Sequence, residues 1–262
     1  MSPPSVHPSA IVSCSASLSD DVVVGPLCVV REGVTLGAGC VLVASCVVMG
    51  PLRMGERNTV HPYAVLGADP QDRSYAGEAT SVEIGSDNVF REHVTVHRGT
   101  AKDEGATRIG SHGLFMAGSH VAHDVVLGDN VTLANGTLLA GHVRLEAHVT
   151  TGGRAAVAPF ATVGRGAFLA AGAMVERDVP PFVIAAGDRA RVRALNRVGL
   201  ERMGAPPGSI RALERAFAAL FRGGVPRAVA QTTVRTDLGG DPWVTELLDF
   251  LDGATGRSRA RS

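Results

Sequence analysis

The 262-residue chain carries 25 basic and 25 acidic side chains, for a formal net charge of +0, and 45% of its residues are hydrophobic. Balanced charge supplies no bulk field for nucleic acid or an anionic membrane, so any anionic ligand must be held by local groups. The length suits one large domain, or one large and one small, around a genuine apolar core.

The opening MSPPSVHPSA has no basic run followed by an apolar one, and no apolar stretch is long enough to cross a bilayer. A soluble cytoplasmic protein without an integral membrane segment, and without nucleic acid as a partner, is therefore expected. Cys14, Cys28, Cys40 and Cys46 form no CxxC pair, and the last three lie multiples of six apart. That spacing points to a repeat, with Cys28, Cys40 and Cys46 as small core fillers, instead of a disulfide or zinc framework.

Stepping by six from Val6 gives Val12, Leu18, Val24, Val30, Leu36, Leu42, Val48, Met54, Val60 and Leu66, all apolar. The period resumes at Ile84, Phe90 and Val96, slips by one, and runs from Ile109 to Val175, broken only by Thr151. A period of six cannot be one face of a helix with 3.6 residues per turn. Three six-residue faces do make a triangular β-coil whose inward positions stack. The spacing predicts a mainly β fold, a parallel β-helix of hexapeptide repeats over residues 1–185; it leaves handedness open.

Two polar, glycine-rich segments leave the pattern, residues 67–83 and 98–108, and are expected to loop out of the coil, where binding groups commonly sit. After VPPFV the hexads stop. RVRALNRVGLERMG, GSIRALERAFAALFRGG and DPWVTELLDFLDG space apolar residues helically between glycines and prolines, predicting a small helical domain over 186–262 that ends in a frayed basic tail from Gly253.

Most of the nine histidines fall between His61 and His148. In coil numbering Gly141 stacks one coil above His123, with His142 as its neighbour. His97, His120, His123 and His142 cluster on the same few coils beside both loops, and an imidazole with a pKa near 6.5 suits proton transfer near neutrality. Asp124 could orient a neighbour, although adjacent residues on an extended chain point apart. A zinc site would need three or four converging ligands.

DPQDRSYAGE, VEIGSDNVFREHVTVHRGT, GSHVAHDVVLGDNVTLANGTLLAGHV and VPPFVIAAGD together resemble the UDP-N-acetylglucosamine acyltransferase family of lipid A biosynthesis. The resemblance implies a left-handed helix, a homotrimer with active sites between subunits, and no metal or bound cofactor. It implies transfer of a 3-hydroxyacyl chain from acyl carrier protein to the 3-hydroxyl of UDP-N-acetylglucosamine. His123 matches the general base and Gly141 the peptide N–H that receives the oxyanion. His142, His97, Gln71 and Asp72 match positions around the sugar, and His120 one near the phosphates. Asn196 and Arg202 match nucleotide contacts, and Phe168 with Ala171 the acyl pocket that sets chain length.

The chain departs from the family where Ser74 replaces a basic residue, Ala158 and Pro159 replace histidine and glutamine, and Met203 replaces arginine. Three rivals remain open at the level of sequence: an acyltransferase for a 3-amino UDP-sugar, a sugar-nucleotide or carrier-protein binding module without turnover, and a zinc-dependent hydration enzyme.

Overall fold

A computed structural model describes residues 2–259 of the chain. Among them, strands mostly two residues long assemble into three sheets of 11, 9 and 8 strands, parallel except for the last strand of the first, the walls of a left-handed parallel β-helix. The first sheet begins at Ser5–Val6, the second at Ile11–Val12 and the third at Ser17–Leu18.

Register follows the eighteen-residue coil: Val6 pairs with Val24, Val12 with Val30 and Leu18 with Leu36. The first loop lengthens one coil, so that Val60 pairs with Phe90, and the second lengthens the next, so that Val96 pairs with Val121. The hexad residues point inward, and Leu36, Leu42, Leu66, Phe90, Leu133 and Leu169 are fully buried. Each such side chain contributes roughly 1.5–3 kcal/mol by leaving water. Cys28 and Cys46 sit on adjacent coils with sulfurs 3.4 Å apart in the same core. Thr151, the polar exception, is 2% exposed and shares a 2.7 Å hydroxyl hydrogen bond with Thr137. Its polarity is thereby satisfied within the core.

The solenoid runs further than the hexads. Val183–Ala186 joins the first sheet beside Phe168–Leu169, then turns back as an antiparallel strand, Arg191–Leu195. Residues 186–195 are therefore not helical as expected. The Arg-Val-Arg alternation there is a strand signal, and exposed Arg191 and Arg193 place charge along the last edge of the sheet, which discourages strand addition.

Four helices follow: α1 (Arg197–Arg202), α2 (Pro207–Phe217, continued as a π-helical turn over Ala218–Arg222), α3 (Arg227–Leu238) and α4 (Pro242–Arg259). α4 continues past Gly253, where a frayed tail was expected; residues 260–262 lie outside those described. Phe182 from the last coil packs in the core of the helices with Leu200, Leu213, Val244 and Leu247. Arg165 locks the joint: its guanidinium lies 4.9 Å from the Phe182 ring and 4.4 Å from the Trp243 ring, and pairs with Glu246 at 2.6 Å.

Candidate functional site

Both loops leave the coil where the second sheet hands over to the third. His123, His142 and Phe160 occupy that corner on successive coils, and each of the three turns contains one positive φ: 60° at Asp124, 62° at His142 and 65° at Phe160. The His142 amide donates to the His123 carbonyl at 3.0 Å, and the Phe160 amide donates to the Gly141 carbonyl. The left-handed turn matters for Asp124. An extended backbone would send its carboxylate away from His123. Here it swings back, and Oδ2 lies 2.8 Å from His123 Nδ1.

The Asp124 side chain is 1% exposed. Burying a carboxylate is costly unless donors surround it, and here the second loop supplies them: Thr100 donates its amide to Oδ1 at 2.8 Å and its hydroxyl to Oδ2 at 2.7 Å. The Thr107 hydroxyl accepts from the Asp124 amide. An ionised carboxylate only accepts, so His123 Nδ1 carries the proton, and the Nε2 lone pair is left for other work.

Gly141 lies against that ring. A Cβ at this position would come 2.5 Å from His123 Cε1 and 2.7 Å from Nε2, so any larger residue would displace the ring or the backbone. Among the described residues its amide N–H has no hydrogen-bond partner. The ring of His142 meets that of His123 edge-on at 5.2 Å and stacks on Phe160 at 4.5 Å, while its Nδ1 lies 3.1 Å from Asp103 of the second loop.

His97 and His120 form a second pair, edge-on at 4.9 Å, with His120 Nδ1 2.7 Å from the Thr95 hydroxyl. Burial, and then the neighbouring His123, lower the His120 pKa. His97 is lowered further, to about 4, by burial and then by the charges that His120 and His123 would carry. Its Nδ1 is buried without a partner among the described residues.

A histidine neutral when folded but protonated when unfolded destabilises the fold in acid. The effect begins as pH falls below the unfolded pKa near 6.5 and saturates below the folded value of about 4. Over that window His97 alone should remove about 2–3 kcal/mol of stability. Urea unfolding of wild type and His97→Gln at pH 7 and pH 4.5 should show a smaller acid loss in the variant.

The first loop is held from below and from the side. Arg98 donates to the carbonyls of Gly50 at 2.8 Å and Gly67 at 3.2 Å, to the Tyr75 hydroxyl at 3.0 Å and to Asp69. Asp72 accepts from the Ser74 amide and hydroxyl, each at 2.9 Å, and from Lys102 of the second loop at 2.6 Å. The Lys102 hydrogen bond, followed by those from Ser74, pushes its carboxyl far below the usual range. Gln71 is exposed beside it.

Other expected residues lie elsewhere in the single chain. Asn196 and Arg202 line a cavity of about 420 Å³ with Phe168, Asn130 and His148, on the side of the first sheet. Asn196 is also structural: its Oδ1 caps α1 by accepting from Gly199 N at 3.1 Å, and its Nδ2 donates to the Gly166 carbonyl at 2.9 Å. An apolar groove of about 400 Å³ runs over the outer face of the second sheet from His120 past Leu138, Ala156 and Ala158 to Met174. Ala171 lies in the turn preceding Met174, beyond the residues that line this groove.

Sequence reasoning missed Thr100, Lys102 and Asp103, which hold Asp124, Asp72 and His142. Thr100 ends the quoted HRGT motif, whereas nothing periodic marks the other two. Ligand atoms of His123, Asp124 and His142 lie within 4.8 Å of one another, close enough to hold a cation. The Asp124 oxygen of that trio already accepts from Thr100 and faces His123 Nδ1.

Comparison with known proteins places this geometry in context. Residues 178–260 match the family model described as UDP N-acetylglucosamine O-acyltransferase, domain 2. The acyl-[acyl-carrier-protein]–UDP-N-acetylglucosamine O-acyltransferase of Myxococcus xanthus is 45% identical over 246 residues, covering 94% of this chain and 95% of that protein. Its counterpart from Thiobacillus denitrificans is 42% identical with the same coverage. Among solved structures, the UDP-N-acetylglucosamine acyltransferase of Campylobacter jejuni superposes with a TM-score of 0.88 at 35% identity, over 94% of this chain and 95% of that one. That of Francisella novicida gives 0.89 at 31% identity, over 93% and 90%.

Proposed function

Since the chain belongs to the family of UDP-N-acetylglucosamine O-acyltransferases, we propose that it moves a 3-hydroxyacyl chain from acyl carrier protein to the 3-hydroxyl of UDP-N-acetylglucosamine, the first step of lipid A biosynthesis, in the cytoplasm. The observation that carries the mechanism is the His123 ring, fixed by Asp124 on one nitrogen and lying against Gly141 with the other free.

His123 Nε2 takes the proton of the sugar 3-hydroxyl as its oxygen attacks the thioester carbonyl. The carbonyl oxygen gains the negative charge, and the Gly141 N–H meets it; a fixed backbone dipole needs no reorganisation to do so. When the intermediate collapses, the C–S bond breaks and the imidazolium returns the proton to the departing thiolate. An ester and a free carrier thiol result. Asp124 keeps the tautomer and steadies the imidazolium, and Thr100 keeps Asp124. His97, with its Nδ1 unpaired among the described residues, His142, Gln71 and Asp72 surround the acceptor. His120 stands at the head of the apolar groove over the second sheet, which we assign to the acyl chain in place of the expected Phe168 and Ala171.

The outer faces support a homotrimer. The first sheet turns Val23, Val41, Val89 and Leu114 outward, and the second turns out Ile11, Val29, Val47, Val65 and Leu138, whereas the third turns out Thr35, Arg53, Glu83, Arg108 and Arg144. Parallel sheets are ordinarily covered on both faces. Laying the first-sheet face of one copy on the second-sheet face of the next closes a ring. That arrangement carries the Asn196 and Arg202 cavity of one copy toward the His123 corner of its neighbour. Sedimentation should give three times the chain mass of 27.0 kDa; a monomer would leave those residues without a place in the reaction.

The functional test offers purified protein 3-hydroxyacyl carrier proteins of graded length with UDP-N-acetylglucosamine and its 3-amino analogue in competition. An ester from the first acceptor, with a preferred donor length, is expected. Product only from the amine would overturn the acceptor, and no product would leave a binding module.

A further inference from the structure

The anionic diphosphate of a sugar nucleotide needs a cation, and the His123 corner has few to give. Its carboxylates are Asp69, Asp72, Asp103 and Asp124. Arg98, whose side chain is 12% exposed, is spent on Asp69, the Tyr75 hydroxyl and two backbone carbonyls. Ser74, where the resembled family carries a basic residue, donates its hydroxyl to Asp72.

The one lysine of the chain fills that place from another segment. Lys102 crosses from the second loop to Asp72 at 2.6 Å, yet its side chain remains 55% exposed. An ammonium has three donors, and Asp72 takes one. The adjacent residue, Asp103, pairs with His142, which packs against His123. Lys102 therefore stands one residue from the support of the reacting centre. In the acceptor the anomeric carbon bearing the diphosphate is two ring carbons from the 3-hydroxyl.

We infer that Lys102 is a substrate-binding residue that supplies, from the second loop, the positive charge for the nucleotide diphosphate, with Asp72 holding the ammonium in place. The inference rests on the acyltransferase reading for the identity of the nucleotide. Within the same chain the competing cation is Arg73, exposed in the first loop; from a neighbouring copy it is Arg202, which the proposed trimer brings toward this corner.

The test measures UDP and UDP-N-acetylglucosamine affinity by calorimetry, beside kcat and both KM values, for wild type, Lys102→Met, Lys102→Arg and Arg73→Met. A charge-assisted hydrogen bond of this kind is worth on the order of tenfold or more in affinity. Lys102→Met should weaken both nucleotides by that factor and raise only the nucleotide KM, with kcat at saturation within about threefold of wild type. Lys102→Arg should recover most of the affinity, and Arg73→Met should bind as wild type does. Unchanged UDP affinity in Lys102→Met overturns the inference, as does equal loss in the methionine and arginine variants, which would mark a loop support only. Wild type that binds UDP-N-acetylglucosamine without turning it over would sink the acyltransferase reading while the affinities still decide the role of Lys102. Wild type that does not bind UDP sinks both.

Discussion

His123→Ala should lower kcat for acyl transfer by about a thousandfold, the middle of the range for loss of a general base, with little change in the KM for UDP-N-acetylglucosamine. The ring has one nitrogen committed to Asp124 and its other nitrogen beside Gly141, so its removal takes away the proton acceptor while the loops that bind the nucleotide remain. Initial rates at saturating carrier protein, on variant whose circular dichroism matches wild type, check this. A rate within fivefold of wild type would mean that another group takes the proton.

Gly141→Ala should be nearly as damaging, although it deletes no functional group. The added Cβ would meet His123 Cε1 at 2.5 Å, so the ring or the backbone must shift by about 1 Å, a displacement that can cost about a hundredfold in rate. The same shift moves the N–H proposed to hold the oxyanion, and loss of one such donor costs about a hundred- to a thousandfold. Gly153→Ala is the control: its added Cβ meets nothing closer than the Asn135 carbonyl at 3.5 Å. It should keep near-normal activity. If the two alanine variants behaved alike, the crowding of His123 against Gly141 would have no bearing on catalysis.

The solenoid was legible because its physics is local and repeated: an inward apolar side chain every six residues is imposed coil after coil. The stacking of Gly141 on His123 followed from the same count. The hairpin of Val183–Ala186 with Arg191–Leu195 was misread as helix because a run of arginines and alanines suits either structure, and only its alternation favours the strand.

The site was legible as a histidine cluster and no further. The bond from His123 to Asp124 depends on a φ of 60° at Asp124, which periodicity does not mark. The supports come from the second loop: Thr100 reaches Asp124 across 24 residues, Lys102 reaches Asp72 across 30, and Asp103 reaches His142 across 39. Such contacts belong to tertiary folding of an aperiodic segment. What reads in the sequence only as a polar loop leaving the coil is, in the fold, the piece that fastens three acidic or imidazole groups in place.

The role proposed for His123 is that of a base, not a metal ligand, in acyl transfer to UDP-N-acetylglucosamine. The most direct test is the initial rate of that transfer by wild-type protein stripped with a chelator, before and after zinc is restored. Ester product is expected at an undiminished rate in the stripped protein, with added zinc giving no increase because it would compete for His123, Asp124 and His142. Absence of transfer after stripping, recovered only with zinc, would contradict it.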